Sequence, residues 1–301
     1  MVACVDLEAV RESLFRHARV VAKIARDYGF AVPTSAAELG HALIASFDQA
    51  RGAEGHSGSL GASDVFRAAV RALGSNNRSW SSFLHREPEL RANLLDYDPA
   101  ATASALRSGA LQIDDIMRCL PGVTGPADAR ATARWAQLLA DAPDYHAALL
   151  QLRDGLSRTK ARRSELPLLT AVILGSGSAG PNGAEPPKGL TSWKAPGMGP
   201  ILGSEFLRNL HWSAFKPDRH LQRLLARWFP DVLPACCSRG RVLSQLLGTR
   251  RADLSRFLEY SLLGIAVTPA SSSFTEVDNL VWALGAYVEK RGRESARCYR
   301  A

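Results

Sequence analysis

Nothing in this 301-residue chain approaches the eighteen or so consecutive apolar residues of a membrane span, so no transmembrane helix is expected. The first residues, MVACVDLEAVRESLF, meet acidic side chains early and hold no long apolar core. They do not read as a signal peptide, and a cytoplasmic protein is expected. Cysteine is scarce: Cys4, Cys119, Cys236, Cys237 and Cys298. An odd, scattered set argues against a disulfide framework and for a reducing compartment. No CxxC pair exists, and the adjacent Cys236 and Cys237 are poorly placed to share one metal, so no metal site is expected. Alternating strand patterns are nearly absent, and no short-period repeat of the solenoid kind appears.

What the chain does have is apolar material and positive charge. Hydrophobic residues make up 46%, enough for a substantial core in one large domain or two ordinary ones. The formal net charge is +8, unevenly spread. Residues 191–301 carry 16 Lys and Arg against 9 Asp and Glu, whereas residues 1–190 carry 21 against 20. A basic excess confined to the last third points toward a polyanion partner, with plain solubility as the alternative.

The dominant periodicity is helical. Leu7, Val10, Leu14, Val21 and Ile24 space a helix over 6–28, and Leu39, Leu43, Ile44 and Phe47 another over 36–50. Further helices are predicted at 64–73, 98–107, 127–141, 143–154, 200–210, 218–228, 240–247, 252–262 and 274–290. One β-like run, LPLLTAVIL (166–174), is too short for periodicity to decide. Residues 51–63 read as a glycine-rich loop, and 74–79 (GSNNRS) as a turn. The stretch 175–190 holds 8 Gly or Pro in 16 residues, so it is a loop or a linker and no regular element. The fold class expected is all-α.

After that stretch comes a Pro-Gly-x-Gly turn opening onto a helix, Ala195-Pro196-Gly197-Met198-Gly199-Pro200-Ile201. Glycines there remove the Cβ that would hold a ligand off and accept positive φ. The helix N-terminus behind them offers unpaired N–H groups to an anion. Nineteen positions beyond Gly199, Pro217-Asp218-Arg219-His220 sets a carboxylate just before a helix with the apolar run Leu221, Leu224, Leu225 and Trp228. In this hairpin and this aspartate turn the chain resembles the helix-hairpin-helix DNA glycosylase superfamily, over about residues 195–228.

The resemblance implies two helical domains. One is a six-helix domain over 62–228 containing the hairpin and aspartate turn (195–220), and the other is a helical domain from 1–61 plus 229–301, with the base pocket between them. It implies double-stranded DNA containing a modified base as partner, a monomeric and, if bacterial, nucleoid-associated protein, and Asp218 as the catalytic carboxylate. Amides near Gly197, Met198, Gly199 and Ile201 would grip phosphates, with charge added by Lys194, Lys216 and Arg219. No cofactor is implied, beyond room for a monovalent cation at the hairpin. Bifunctional members carry a nucleophilic lysine two positions after the second hairpin glycine. Here that position is Ile201, which cannot form an imine, so the implied enzyme is monofunctional: a hydrolase of the N-glycosidic bond and no lyase. Alkylated purines suit the missing lysine, and hypermodified bases of invading DNA are another option. A non-catalytic helix-hairpin-helix DNA-binding protein is the alternative, in which Asp218 only caps its helix.

A second segment imitates the first. Leu120-Pro121-Gly122-Val123-Thr124-Gly125 is followed, again after nineteen residues, by Pro143-Asp144-Tyr145-His146. Its turn has one extra residue, Thr124, and the later copy is favoured. Trp80, Trp193, Trp212 and Trp228 are candidates for stacking on a base, each with a core role as the plainer reading. Asn76-Asn77-Arg78 is either a duplex-inserting loop or a solvated turn. Arg250-Arg251 and the arginines near the end read as backbone contacts or plain surface.

Overall fold

A computed structural model describes residues 3–51, 60–181, 184–187, 190–248 and 252–301. Among them the regular structure is helical, and the one β-bridge joins Val5 to Arg300. No described helix is long and apolar enough to cross a membrane. The chain divides into two compact units, one formed by Met1–Glu54 with Ser213–Ala301 and the other by Gly55–Trp212.

The first unit begins with α1 (Leu7–Phe15), α2 (Ala18–Tyr28) and α3 (Ala36–Arg51). Asp6 caps α1 by accepting from the Ala9 N–H at 2.9 Å, and Leu7, Val10 and Leu14 bury its inner face. The expected single helix over 6–28 is two. His17 takes non-helical angles (φ −102°, ψ 75°) and its Nδ1 pairs with the Ser13 carbonyl at 2.8 Å, which ends the first helix. The break leaves Val21 and Ile24 in register with Leu14, so apolar spacing alone does not reveal it.

The second unit is an uninterrupted stretch of chain: α4 (Ala62–Gly74), α5 (Trp80–Asn93), α6 (Pro99–Ser108), α7 (Ile113–Cys119), α8 (Gly125–Asp141), α9 (Tyr145–Ser157), α10 (Leu166–Ser176) and α11 (Pro200–Asn209). α10 is the β-like run. Nine of its eleven residues are buried, so it has no polar face for periodicity to report, and Pro167 sits in its first turn, where the missing N–H costs nothing. α10 and α11 approach closely through glycine. A Cβ on Gly175 would lie 2.4 Å from the Pro200 nitrogen, and one on Gly203 would lie 3.1 Å from the Ala171 carbonyl oxygen. The Gly- and Pro-rich stretch between them is a loop folded on α9: Trp193 is buried and donates its indole N–H to the Ala184 carbonyl, while Gly155 on α9 lies against Pro181 and Ala184.

The chain then returns to the first unit with α12 (Arg219–Trp228), α13 (Leu233–Leu246), α14 (Ala252–Ala266) and α15 (Phe274–Ala283), which runs on into a π turn, Leu284–Val288. α12 buries Leu221, Leu224, Leu225 and Trp228 and packs against α14 and α15, which is why residues 213–228 group with the terminal segments. Asp6 N–H to the Tyr299 carbonyl and Ala301 N–H to the Cys4 carbonyl stitch the two ends of this unit together.

Candidate functional site

The hairpin closes directly over the C-terminal end of α10. The Ala195 N–H donates to the Leu174 carbonyl at 2.9 Å, and the Trp135 indole on α8 donates to the Pro196 carbonyl at 3.0 Å. Gly197 has φ +71°, and a Cβ there would stand 2.4 Å from the Ala131 Cβ, so both its conformation and its surroundings demand glycine. Met198 is buried beneath the turn. Gly199 is different. It is extended (φ −90°, ψ 180°) and exposed, with no atom within 4 Å of where a Cβ would be. It is the N-cap of α11, whose first turn carries no acidic residue and no side-chain cap, so the amides of Ile201 and Leu202 have no side-chain acceptor. Ile201 is half-buried. Lys194 is exposed, but its ammonium donates to the carbonyls of Gly175 and Met198, satisfying groups at the end of α10 and in the turn.

The earlier hairpin has similar outlines but a filled N-terminus. Gly122 has φ +113°, and α8 starts at Gly125. In the first turn of α8, Asp128 is 2% exposed, pairs with Arg78 Nη2 at 2.7 Å and accepts from Asn76 Nδ2 at 2.9 Å. An anion is already built into that helix end. Its downstream Asp144 makes no cap bond, and His146 is buried with Nδ1 accepting from the Leu60 N–H at 2.9 Å. The Asn76 and Arg78 side chains are therefore internal ties, which leaves Asn77, at φ +51°, exposed at the tip.

In the other unit, the turn bearing Asp218 is pinned from both sides. Phe215 lies against Gly264 of α14, where a Cβ would come within 2.6 Å of its ring. The Lys216 N–H donates to Asp278, a buried carboxylate of α15, at 2.7 Å. Gln222 donates to the Pro217 carbonyl at 2.7 Å. Asp218 is half-exposed and caps α12. Its Oδ1 accepts from the N–H groups of His220 at 2.8 Å and Leu221 at 3.2 Å, and its Oδ2 makes no hydrogen bond among the described residues. One oxygen is thus held by the helix end and the other is open. Lys216 is half-buried, and Arg219 is exposed with its guanidinium 3.5 Å from His220 Nε2. Burial pushes the His220 imidazole below its usual pKa, against the opposing charge of Asp218. Its Cβ packs against Gly285 in the π turn.

Beside His220 lies an aromatic cluster that sequence reasoning missed. Trp282 meets His220 edge-on at 6.4 Å, Tyr28 at 6.4 Å and Tyr287 at 5.9 Å. All are half-buried, and the Tyr287 hydroxyl donates to Asp27 at 3.1 Å. The members come from α2, α15 and the π turn, about 250 residues apart, so no local motif announces them. The tryptophans singled out from sequence lie elsewhere: Trp193, Trp212 and Trp228 are buried, and Trp80 stacks on Phe83.

The basic excess is also partly structural. Arg223 ties Glu294, Arg300 ties Asp231, and Arg208 is buried beside Glu205. Arg250-Arg251 lies outside the described residues. No group of His, Cys, Asp or Glu suited to a metal ion occurs among the described residues. Comparison with protein-family models, curated proteins and solved structures finds no match to this chain.

Proposed function

We propose that this protein is a monofunctional DNA glycosylase that extrudes a modified base from duplex DNA and hydrolyses its N-glycosidic bond. The observation that carries the proposal is the state of Asp218: one carboxylate oxygen is locked by two helix amides, the other is open, and the turn beneath is clamped by Phe215, Asp278 and Gln222. Cleavage develops positive charge on the sugar at C1′. A carboxylate fixed in place before the reaction stabilises that charge without reorganising, and its open oxygen can take a proton from the attacking water. The uncapped start of α11, with Gly199 bare, suits a phosphate approaching its amides. Ile201 leaves no amine at the position where a lyase needs one. Trp282, Tyr28 and Tyr287 are the side chains of this unit best suited to lie against an extruded base.

A screen of duplexes carrying alkylated or otherwise modified bases tests this. The expected outcome is release of free base, an intact abasic strand and no borohydride-trapped adduct. The variant D218N should slow release by at least about a hundredfold while keeping DNA binding. Release undiminished in D218N removes Asp218 from the chemistry. The same two cap bonds favour a second reading, in which Asp218 only ends a helix and the chain binds DNA without cutting it. That reading predicts salt-dependent duplex binding and no base release from any substrate.

A further inference from the structure

A groove of about 810 Å³ runs along α9 in the second unit, a size usual for ligand sites. α9 supplies one wall. Asp144, Ala148, Leu152 and Gly155 follow one another at three or four residues and so form one helical stripe. Residues 184–187 of the Gly- and Pro-rich loop form the other wall. That wall is set in place: the Trp193 indole donates to the Ala184 carbonyl at 3.2 Å, and Pro186-Pro187 fixes two φ angles. Nine of the fifteen lining residues are Ala, Pro, Leu or Gly, so the groove offers mainly apolar contact.

Its charge is of one sign. Asp141, Asp144, Asp154 and Glu185 line the groove, all exposed, against Arg158 as the single cation. The chain as a whole carries +8, so this negative character is local. Helix stability does not account for it. Asp141 ends α8 and Asp154 stands in the last turn of α9, where a carboxylate meets the negative end of the helix dipole. Nor do internal ties. Asp141 accepts from Gln137 at 2.9 Å and Asp154 lies 3.5 Å from Arg153, while the carboxylates of Asp144 and Glu185 accept no hydrogen bond among the described residues. An apolar groove with such a rim turns a polyanion away and suits a partner that is both apolar and cationic.

We infer that this groove docks a short extended segment of a partner protein, with a cation at each end and apolar side chains between. The spacing of the carboxylates sets its length. Asp144 and Asp154 are ten residues apart along α9, about 15 Å of helix rise. Five residues of extended chain cover about 16 Å, so a hexapeptide sets its two end cations against both carboxylates. Its apolar residues then lie along Ala148, Leu152 and the proline wall. The inference does not depend on Asp218 or on base release, so either reading can fail without the other.

The test uses the full-length protein and two fluorescein-labelled hexapeptides, KLPLAK and its acidic counterpart ELPLAE, read by fluorescence anisotropy. Wild-type protein should bind KLPLAK with a Kd on the order of 10–100 μM, more weakly as salt rises, and ELPLAE at least about tenfold more weakly. The double variant D154K/E185K changes two exposed positions and should lose KLPLAK at least about tenfold while gaining ELPLAE. A148W fills the groove without altering its charge and should also lose KLPLAK at least about tenfold, with circular dichroism confirming that each variant is folded. No binding of KLPLAK by wild type overturns the inference. So does binding that D154K/E185K or A148W leaves unchanged in folded protein, because the peptide then sits elsewhere. Spermidine bound as tightly as KLPLAK, and equally by A148W, would make this a site for small polycations and overturn the peptide groove.

Discussion

The two hairpin glycines should part company under the same substitution. At Gly197 an alanine must take φ +71°, which costs about 1–2 kcal/mol for an L-residue. Its Cβ would also stand 2.4 Å from the Ala131 Cβ, and relieving an overlap with a packed helix costs about 1–3 kcal/mol more. G197A should therefore lose roughly 2–5 kcal/mol of stability. At Gly199 the backbone is already in a region open to every residue and nothing lies within 4 Å. Losing the unfolded chain's glycine freedom stabilises by about 0.4–1 kcal/mol, and alanine's weaker showing at an N-cap offsets much of it. The net effect of G199A on stability should be within about 0.5 kcal/mol of zero. If a phosphate approaches the α11 amides over that bare Cα, the new methyl holds it away. Duplex affinity should then fall about tenfold, equally for all sequences because no base edge is touched. Urea unfolding followed by tryptophan fluorescence reads the first quantity, and fluorescence anisotropy with labelled duplex at fixed salt reads the second. Wild-type affinity in a stably folded G199A protein would refute the phosphate grip.

Three other outcomes follow from the same geometry. D218A removes both cap bonds of α12 and should cost about 1 kcal/mol, lowering Tm by a few degrees, whereas D218N keeps an acceptor in place and should cost only a few tenths; calorimetry separates them. His146 and His220 are both held below the ordinary imidazole value by burial, so the unfolded chain takes up these protons first. Stability should thus be full near neutral pH and decline as pH falls below about 6.5, with a lower urea midpoint at about pH 5.5 than at about pH 7.5 and a shallower decline in H146Q; a midpoint that rises on acidification contradicts the burial argument. W282A removes the ring at the centre of the cluster beside His220 and should weaken base release from any accepted substrate more than tenfold while W282F retains most of it; equal rates for both variants would take Trp282 out of base recognition.

Much of the fold is legible in the sequence because most helices here are amphipathic. α12 shows its apolar face as Leu221, Leu224, Leu225 and Trp228, and Asp218 at its head is a cap by residue type. Legibility fails where the pattern carries no contrast. α10 is buried on all sides, so its eleven residues look the same as a buried strand. The break at His17 falls where the apolar register runs on undisturbed. Charge is legible as a total but not as a role. Lys194 counts toward a basic segment, yet its ammonium is spent on two backbone carbonyls, and Arg78 is an internal brace in a stretch that reads either as a duplex-inserting loop or as a solvated turn.

Sequence alone determined that the chain is helical, that a Pro-Gly-x-Gly turn and an aspartate stand nineteen residues apart, and that no lysine occupies position 201. These are statements about residue type and spacing, and local physics suffices for them. That the two hairpins differ at their helix ends is visible only in the tertiary structure. Asp128 and Arg78 fill the α8 N-terminus from fifty residues apart in the chain, while the α11 N-terminus stays bare. The same holds for the Trp282 cluster and for the tie between Arg78 and Asp128. Each is assembled from segments far apart in the chain, and burial and hydrogen-bond partners exist only once those segments have met.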